Sequence, residues 1–555
     1  MGDKVSRTKT RIACAMAAAI AASAPSAAHT APPARTLEQG AAAAKAGNHA
    51  LALEIHQALA AAGDLAAMDR LGVAYQEGLG IPANAAAAMR WFRKAADKGH
   101  PTSIYSVGNL YWHGTGVAAD RKAALGWFRR AAALGDADAM QMLGIAYDRG
   151  EGVAEDDAAS VGWFRKAAAA GNANGERSLA LMYRRGSGVA QDDAESLRFL
   201  KRAAERGNVA SYDDLGDAFR MGWGTPVDLP AAIGWYRKGA DGGDPWAQTS
   251  LAMRYVAGEG VTRDVREATV WLSRAVELDH APAMIELGIL YENGNGVAKD
   301  PVKATRLYRQ AADLGDETGL LYLGINTRDG IGLIADGPVA VRLLEKAAAT
   351  NAEAMNELGY TLEHGKGVPA DEGRALAWYR KAAAAGNALG MSNLGLMLEH
   401  GRGVKVDLPG AVRWYAQAAD KDEAWGQLYY GRALVEGSGT AKNEADGFRW
   451  ISKSAAAGNS DAMTDLGVLY EEGRGTAKDL AKANQNYRQA ADKGDARAMR
   501  YLGINAANGI GLPVDLNEAE RWLRRALQDG DTEAARLLEE IKERRKDGDG
   551  RRVAT

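Results

Sequence analysis

The stretch AMIELGILYENGNGVAKDPVKATRLYRQAADLGD, Ala283–Asp316, decides the fold. Ala283, Met284, Leu287 and Tyr291 fall at i, i+1, i+4 and i+8, which is one apolar stripe at helical period. Gly294 suits the left-handed position that ends a helix. Gly296 lets the chain turn back without a Cβ clash. Val297 is expected to plug the loop onto the core. Asp300 is an N-cap whose carboxylate can accept from free helix N–H groups. A second stripe follows at i, i+3, i+4, i+7 and i+8. In the unit two glycine pairs after Gly78 it is Ser160, Trp163, Phe164, Ala167 and Ala168, ended by Gly171.

A Gly-x-Gly running into a helix also resembles a phosphate-binding loop, so its recurrence matters. The pair returns at Gly78, Gly114, Gly150, Gly186, Gly222, Gly258, Gly294, Gly330, Gly365, Gly401, Gly437, Gly473 and Gly509, every 36 residues except for one step of 35. A nucleotide loop follows a strand and does not occur thirteen times. A fixed period of this size marks a repeat architecture. The residue equivalent to Asp300 is Asp in eleven units and Asn in two, Asn84 and Asn443.

A helix pair cannot bury its stripe alone, so neighbouring pairs must stack. The expectation is an all-α, right-handed superhelical solenoid of about thirteen helix-turn-helix repeats over 66–532. Residues 29–65 read as an N-terminal capping helix pair, 533–545 as a charged C-terminal capping helix, and 546–555 as a disordered tail. The eighth unit is one residue short and lacks its tryptophan, so a local change in stacking is expected there.

The N-terminus reads as a cleavable signal peptide over 1–28. Lys4, Arg7, Lys9 and Arg11 precede the apolar run IACAMAAAIAASA, and Ser26–Ala28 offers small residues for cleavage. That run is too short to span a bilayer. Myristoylation of MGDKVS would leave it unexplained. An uncleaved anchor is the alternative. Removing 1–28 takes away four cations and one anion and moves the net charge from −3 to −6. That balance argues against nucleic acid. The single cysteine, Cys14, lies inside the removed segment, so no disulfide, thiol nucleophile or Cys-ligated metal is expected.

The string A-M-x-x-L-G-x-x-Y-x-x-G-x-G-V-x-x-D…A…W-[FY]-x-K-A-A-x-x-G resembles the Sel1-like repeat family, relatives of the tetratricopeptide repeats. The resemblance implies a helical solenoid that binds proteins or peptides and rarely does chemistry. It also implies exported bacterial relatives that restrain sensor kinases, serve polysaccharide export or contact cell-wall enzymes. Relatives described as penicillin-binding carry a cysteine pair in each repeat, and this chain has none. A cell-wall factor with weak or no β-lactamase-like activity is the alternative reading.

Nine tryptophans occupy one repeat position (Trp91, Trp127, Trp163, Trp235, Trp271, Trp378, Trp414, Trp450 and Trp522) and read as core packing. Trp112, Trp223, Trp246 and Trp425 obey no repeat rule. Carrying over the groove positions of the tetratricopeptide relatives puts Trp112, Trp246 and Trp425 on the concave face, where exposed aromatics make binding anchors. Tyr105, Asn109, His113, Arg149, Arg177, Arg184, Arg185 and Arg220 fall on early groove positions. Glu363, Glu399, Glu436, Glu471 and Glu472 fall on late ones. This gradient suits a peptide with an acidic segment at one end, or an anion held by arginine forks. His113, His364 and His400 precede the first glycine of their units. They lack a third ligand for a metal, and the simpler role is a cation at a helix C-terminus. No catalytic motif is present, and no cofactor is expected.

Overall fold

The computed structural model describes residues 35–547. The signal-peptide reading of 1–28 lies outside the described residues, as does the expected tail 546–555 apart from 546 and 547, which continue the final helix. Among the described residues the chain is helical throughout, with 29 helices and no strand. Cα packing divides it into two compact units, one up to Arg206 and one from Gly207. The first unit holds an N-terminal helix pair, Leu37–Lys45 and His49–Ala61, and the first four repeats. The second holds repeats 5 to 13 and a final helix, Glu533–Asp547. Within each unit, every helix packs against its neighbours in sequence.

Repeats are counted here from the first residue of the first helix, so repeat 7 begins at Ala281 and repeat 11 at Ala424. The predicted cap is present in all thirteen second helices. Asp300 Oδ1 accepts from the Lys303 amide at 2.9 Å, and Asn84 from Ala87 at 2.9 Å. Such a cap contributes about 1 kcal/mol. Most first helices are capped as well, by the residue just before them, the exceptions being those of repeats 5 and 7. Asp136 accepts from Ala139 at 2.8 Å, and Asn387 from Gly390 at 2.6 Å.

The glycine pair does more than turn the chain. Gly294 and Gly296 sit at φ 71° and 72°. A Cβ on Gly296 would lie 2.3 Å from Cβ of Val265, the first residue of the preceding repeat's second helix. The second glycine therefore lets each loop rest directly on the neighbouring repeat. Val297 packs onto the core, as its apolar character requires.

The repeated tryptophans differ from expectation. Only Trp271 is fully buried, at 6% exposure, and the others are half-buried. The next residue, at position 28, takes the core: Phe128, Phe164, Tyr379 and Tyr415 are all within 2% of full burial. In eight of the nine the tryptophan lies under a cation three residues on, the exception being Trp414, which has Gln417 there. Lys166 Nζ is 4.1 Å from the Trp163 ring, Lys238 4.1 Å from Trp235 and Lys381 3.9 Å from Trp378. Adjacent helical positions point about 100° apart, so one faces the core and the other its rim. In the eighth repeat the second helix is shortened to Gly337–Ala347. The loop of repeat 9 lies against it so closely that a Cβ on Gly337 would be 2.1 Å from the Gly367 carbonyl.

Candidate functional site

Three positions within each repeat form a set. Position 8 of the first helix carries Gly wherever position 28 is aromatic, because the ring lies flat on the helix backbone. A Cβ on Gly395 would be 2.3 Å from Tyr415 Cε1, and one on Gly144 2.4 Å from Phe164 Cε1. Alanine stands at position 8 only as Ala180 and Ala252, opposite Leu200 and Leu272. Position 12, one turn along, meets the outer end of the position 28 side chain.

Where position 28 is tyrosine, position 12 is usually glutamate. Tyr379 donates to Glu363 at 2.7 Å, Tyr415 to Glu399 at 2.6 Å and Tyr487 to Glu471 at 3.1 Å. Burial, reinforced by the carboxylate, pushes each of these hydroxyls far above the usual phenol range. Glu363 is also paired with Arg402. Three of the five late glutamates expected to face a ligand therefore hold buried tyrosines.

Trp112 occupies position 12 of repeat 2, and this overturns its reading as an exposed anchor. It is 5% exposed, packs on Phe128 at 5.9 Å and is covered by Arg121, 4.4 Å above its ring. Phe128 has no hydroxyl to satisfy, so an aromatic ring fills the slot that glutamate takes beside tyrosine. The other predicted residues divide. Tyr105 is half-buried and packs on Phe128 at 5.7 Å; burial, with Asp138 and Asp136, pushes its hydroxyl up to about 12. Asn109, Arg177 and Arg184 are half-buried, while His113, Arg149 and Arg185 are exposed. Arg220, in the second unit, is half-buried and donates to Tyr236 at 3.3 Å and Asp217 at 3.2 Å. Trp246 is 58% exposed and meets His280 edge-on at 4.6 Å. Trp425 is 39% exposed and stacks on Tyr429 at 5.8 Å.

Repeat 11 breaks the position 12 and 28 pairing that repeats 10 and 12 keep. Val435 and Ile451 stand where its neighbours have glutamate and tyrosine, and both are buried. Both are smaller than the residues they replace, and a cleft of about 570 Å³ opens over them. Leu469 and Val468 extend the apolar floor, and Tyr429 and Tyr501 form aromatic walls. Trp425 extends the Tyr429 wall outward through their stack. On one side Arg432 and Arg497 share Asp465, at 2.5 and 3.0 Å. Burial opposes the Arg497 charge, but Asp465, Asp495 and Asp461 outweigh it and raise its pKa. On the other side Arg474 reaches Glu436 at 2.8 Å, Glu444 at 3.2 Å and Glu472 at 3.6 Å. An apolar floor, aromatic walls and charged margins suit the side chains of a peptide.

Sequence reasoning found Trp425 and Glu436 here but missed Tyr429, Arg432, Asp465 and Arg497. The available signal was the loss of the Glu–Tyr pair in repeat 11, visible once the repeats are aligned. His400 lines the cleft. His364 lies over Tyr360, 4.4 Å between rings, with its Nδ1 3.1 Å from the Tyr360 carbonyl. Among the described residues no three His, Cys, Asp or Glu side chains are grouped to hold a metal.

Comparison with known proteins agrees with this architecture. The Sel1 repeat matches thirteen consecutive segments, from 65–100 through 281–316 to 496–531. Among solved structures, a protective antigen of uropathogenic Escherichia coli displaying an SLR fold is 29% identical. It covers 91% of this chain and 99% of its own, with a TM-score of 0.43. A Sel1 repeat protein from Oxalobacter formigenes is 30% identical over 56% of this chain and 90% of its own, with a TM-score of 0.40. No curated protein matches.

Proposed function

Because the chain belongs to the Sel1 repeat family, whose helix-pair arrays generally bind protein partners, we propose that it is an exported scaffold or regulator that holds a protein segment. The observation that carries this reading is the cleft of repeats 10 to 13, whose wall residue Tyr429 carries the exposed Trp425 stacked on it. Large aromatics beside a concave apolar floor are the usual anchors of protein recognition. Trp246 offers a second exposed aromatic, and Trp112, being buried, takes no part. Export rests on the basic and apolar character of residues 1–28. The partner is then expected in the envelope, as a sensor kinase, secretion component or cell-wall enzyme. The role is non-catalytic, needing neither cofactor nor nucleic acid.

The test is affinity capture from envelope extract with the chain expressed from its own N-terminus, beside a Trp425→Ala variant. The N-terminus of the purified product is read by mass spectrometry. A discrete protein retained by wild type and lost from the variant, with a product starting at His29, is the expected result. Equal capture by both removes the cleft from the reading. An intact N-terminus in a cytoplasmic product removes export. Steady turnover of a chromogenic β-lactam would replace the scaffold with the cell-wall alternative.

A further inference from the structure

The cleft also has a polarity that its partner must match. The guanidinium on each side is already paired: Arg432 and Arg497 close on Asp465, and Arg474 lies among three carboxylates. Two of those three, Glu436 and Glu472, are the most open charged groups of the set, with side chains 61% and 51% exposed. Each is the last residue of its helix, where the backbone dipole adds negative potential. A single guanidinium shared by three carboxylates leaves acceptor capacity unspent. Lys442 draws on Glu444 alone, at 2.8 Å. The unspent acceptors therefore lie on Glu436, which lines the cleft, and on Glu472, which joins it through the lining Arg474.

We propose, resting on the protein-binding reading above, that the segment held in this cleft is basic and amphipathic. One of its apolar side chains enters over Val435 and Ile451. A Lys or Arg one helical turn or two extended residues away lies against Glu436 and Glu472. Charge complementarity of this kind sets orientation and speeds association, while the apolar anchor supplies affinity.

The repeats themselves supply the variant that tests it. Val435→Glu with Ile451→Tyr installs in repeat 11 the pair that repeats 10 and 12 carry, opposite the Gly431 that such a ring requires. The change fills the floor and adds a negative charge. A merely electrostatic attraction would therefore strengthen, and a cleft-specific one would be lost. The probes are fluorescein-labelled amphipathic peptides of leucine with lysine, of leucine with glutamate, and of serine with lysine, followed by fluorescence polarisation. The leucine–lysine peptide is expected to bind wild type at least tenfold more tightly than the other two. V435E/I451Y is expected to weaken it at least tenfold, with a melting temperature at or above wild type. Glu436→Gln with Glu472→Gln, a surface change, is expected to weaken it several-fold and flatten its salt dependence.

Equal or tighter binding of the glutamate peptide overturns the proposed polarity. Undiminished lysine-peptide binding by V435E/I451Y overturns the site. If V435E/I451Y fails to fold, the glutamine pair decides: unchanged affinity and salt slope overturn the proposal. These outcomes are distinct from failure of the scaffold reading, which the envelope capture reads through Trp425→Ala whatever peptide is preferred.

Discussion

Gly144→Ala should destabilise the first unit, and Phe164→Leu should reverse the damage. A Cβ on Gly144 would lie 2.4 Å from Phe164 Cε1, 2.5 Å from Cδ1 and 3.0 Å from Cζ. The ring must retreat by about 1 Å to reach ordinary contact, and it is 2% exposed with no free space to enter. Overpacking of this kind costs about 1–3 kcal/mol. Alanine gains about 0.8–1.0 kcal/mol over glycine in a helix interior. The net loss is then up to about 2 kcal/mol. Phe164→Leu alone leaves a small void and should cost about 1 kcal/mol. The double variant reproduces the Ala180/Leu200 and Ala252/Leu272 combinations, both buried in this same chain. With the overpacking gone it should be no worse than Phe164→Leu alone, a favourable coupling of about 1–3 kcal/mol. Repeat arrays need not unfold in one step. The local readout is therefore hydrogen exchange across helix Ala137–Arg149, with melting temperature beside it. If the double variant equals the sum of the singles within about 0.5 kcal/mol, ring and glycine are not coupled and the position 8 and 28 rule fails.

Two further perturbations test the buried polar groups. Asp213 is pushed up to about 7, chiefly by burial, with Asp217, Asp214 and Asp244 adding to it against a Ser250 hydrogen bond. The folded state then holds more protons than the unfolded state between about pH 4 and 7. Its contribution to stability is complete below that window and lost as pH rises through it. Asp213→Asn should flatten the fall in melting temperature between pH 5 and 7.5, and parallel curves for the two proteins would exclude Asp213 as the cause. Tyr415→Phe removes the donor at 2.6 Å from Glu399 and should lower local stability by about 1 kcal/mol, discounted for the water that Glu399 still meets. Exchange protection across Ala388–His400 measures it, and an unaltered value would mean that water replaces the hydroxyl without loss.

The period, the caps and the left-handed glycines were legible in the sequence because each depends on local backbone chemistry. Asp300 caps its helix whatever surrounds it, and Gly294 takes a positive φ for reasons contained in four residues. What failed was the apportioning of side chains between core and surface. Trp112 lies on the arc that a groove template assigns to the ligand, yet position 12 turns inward far enough to meet position 28. Whether it is buried depends on the size and polarity of a residue sixteen positions away. The Trp–Phe pairs of the second helix posed the same problem, since adjacent residues share a stripe on a helical wheel and only packing tells the rim from the core. Glu363, Glu399 and Glu471 read as free charge because their partners, the tyrosine hydroxyls, belong to a residue type that the pattern treats as apolar. The cleft was hidden because it arises from a missing pair, and an absence shows only when repeats are compared with each other.

Positions 8, 12 and 28 all lie inside one repeat, which bears on how such a chain can change its length. Duplication or deletion of a whole unit carries the glycine, the position 12 residue and the ring together, so the copy is compatible with itself wherever it lands. A recombination between the two helices of unlike repeats would not be. Joining the first helix of repeat 4 to the second helix of repeat 3 would set the methyl group of Ala180 against Phe164. Exchange at the loops between repeats is therefore tolerated and exchange at the paired glycines is penalised. The heritable module of this protein is the helix pair.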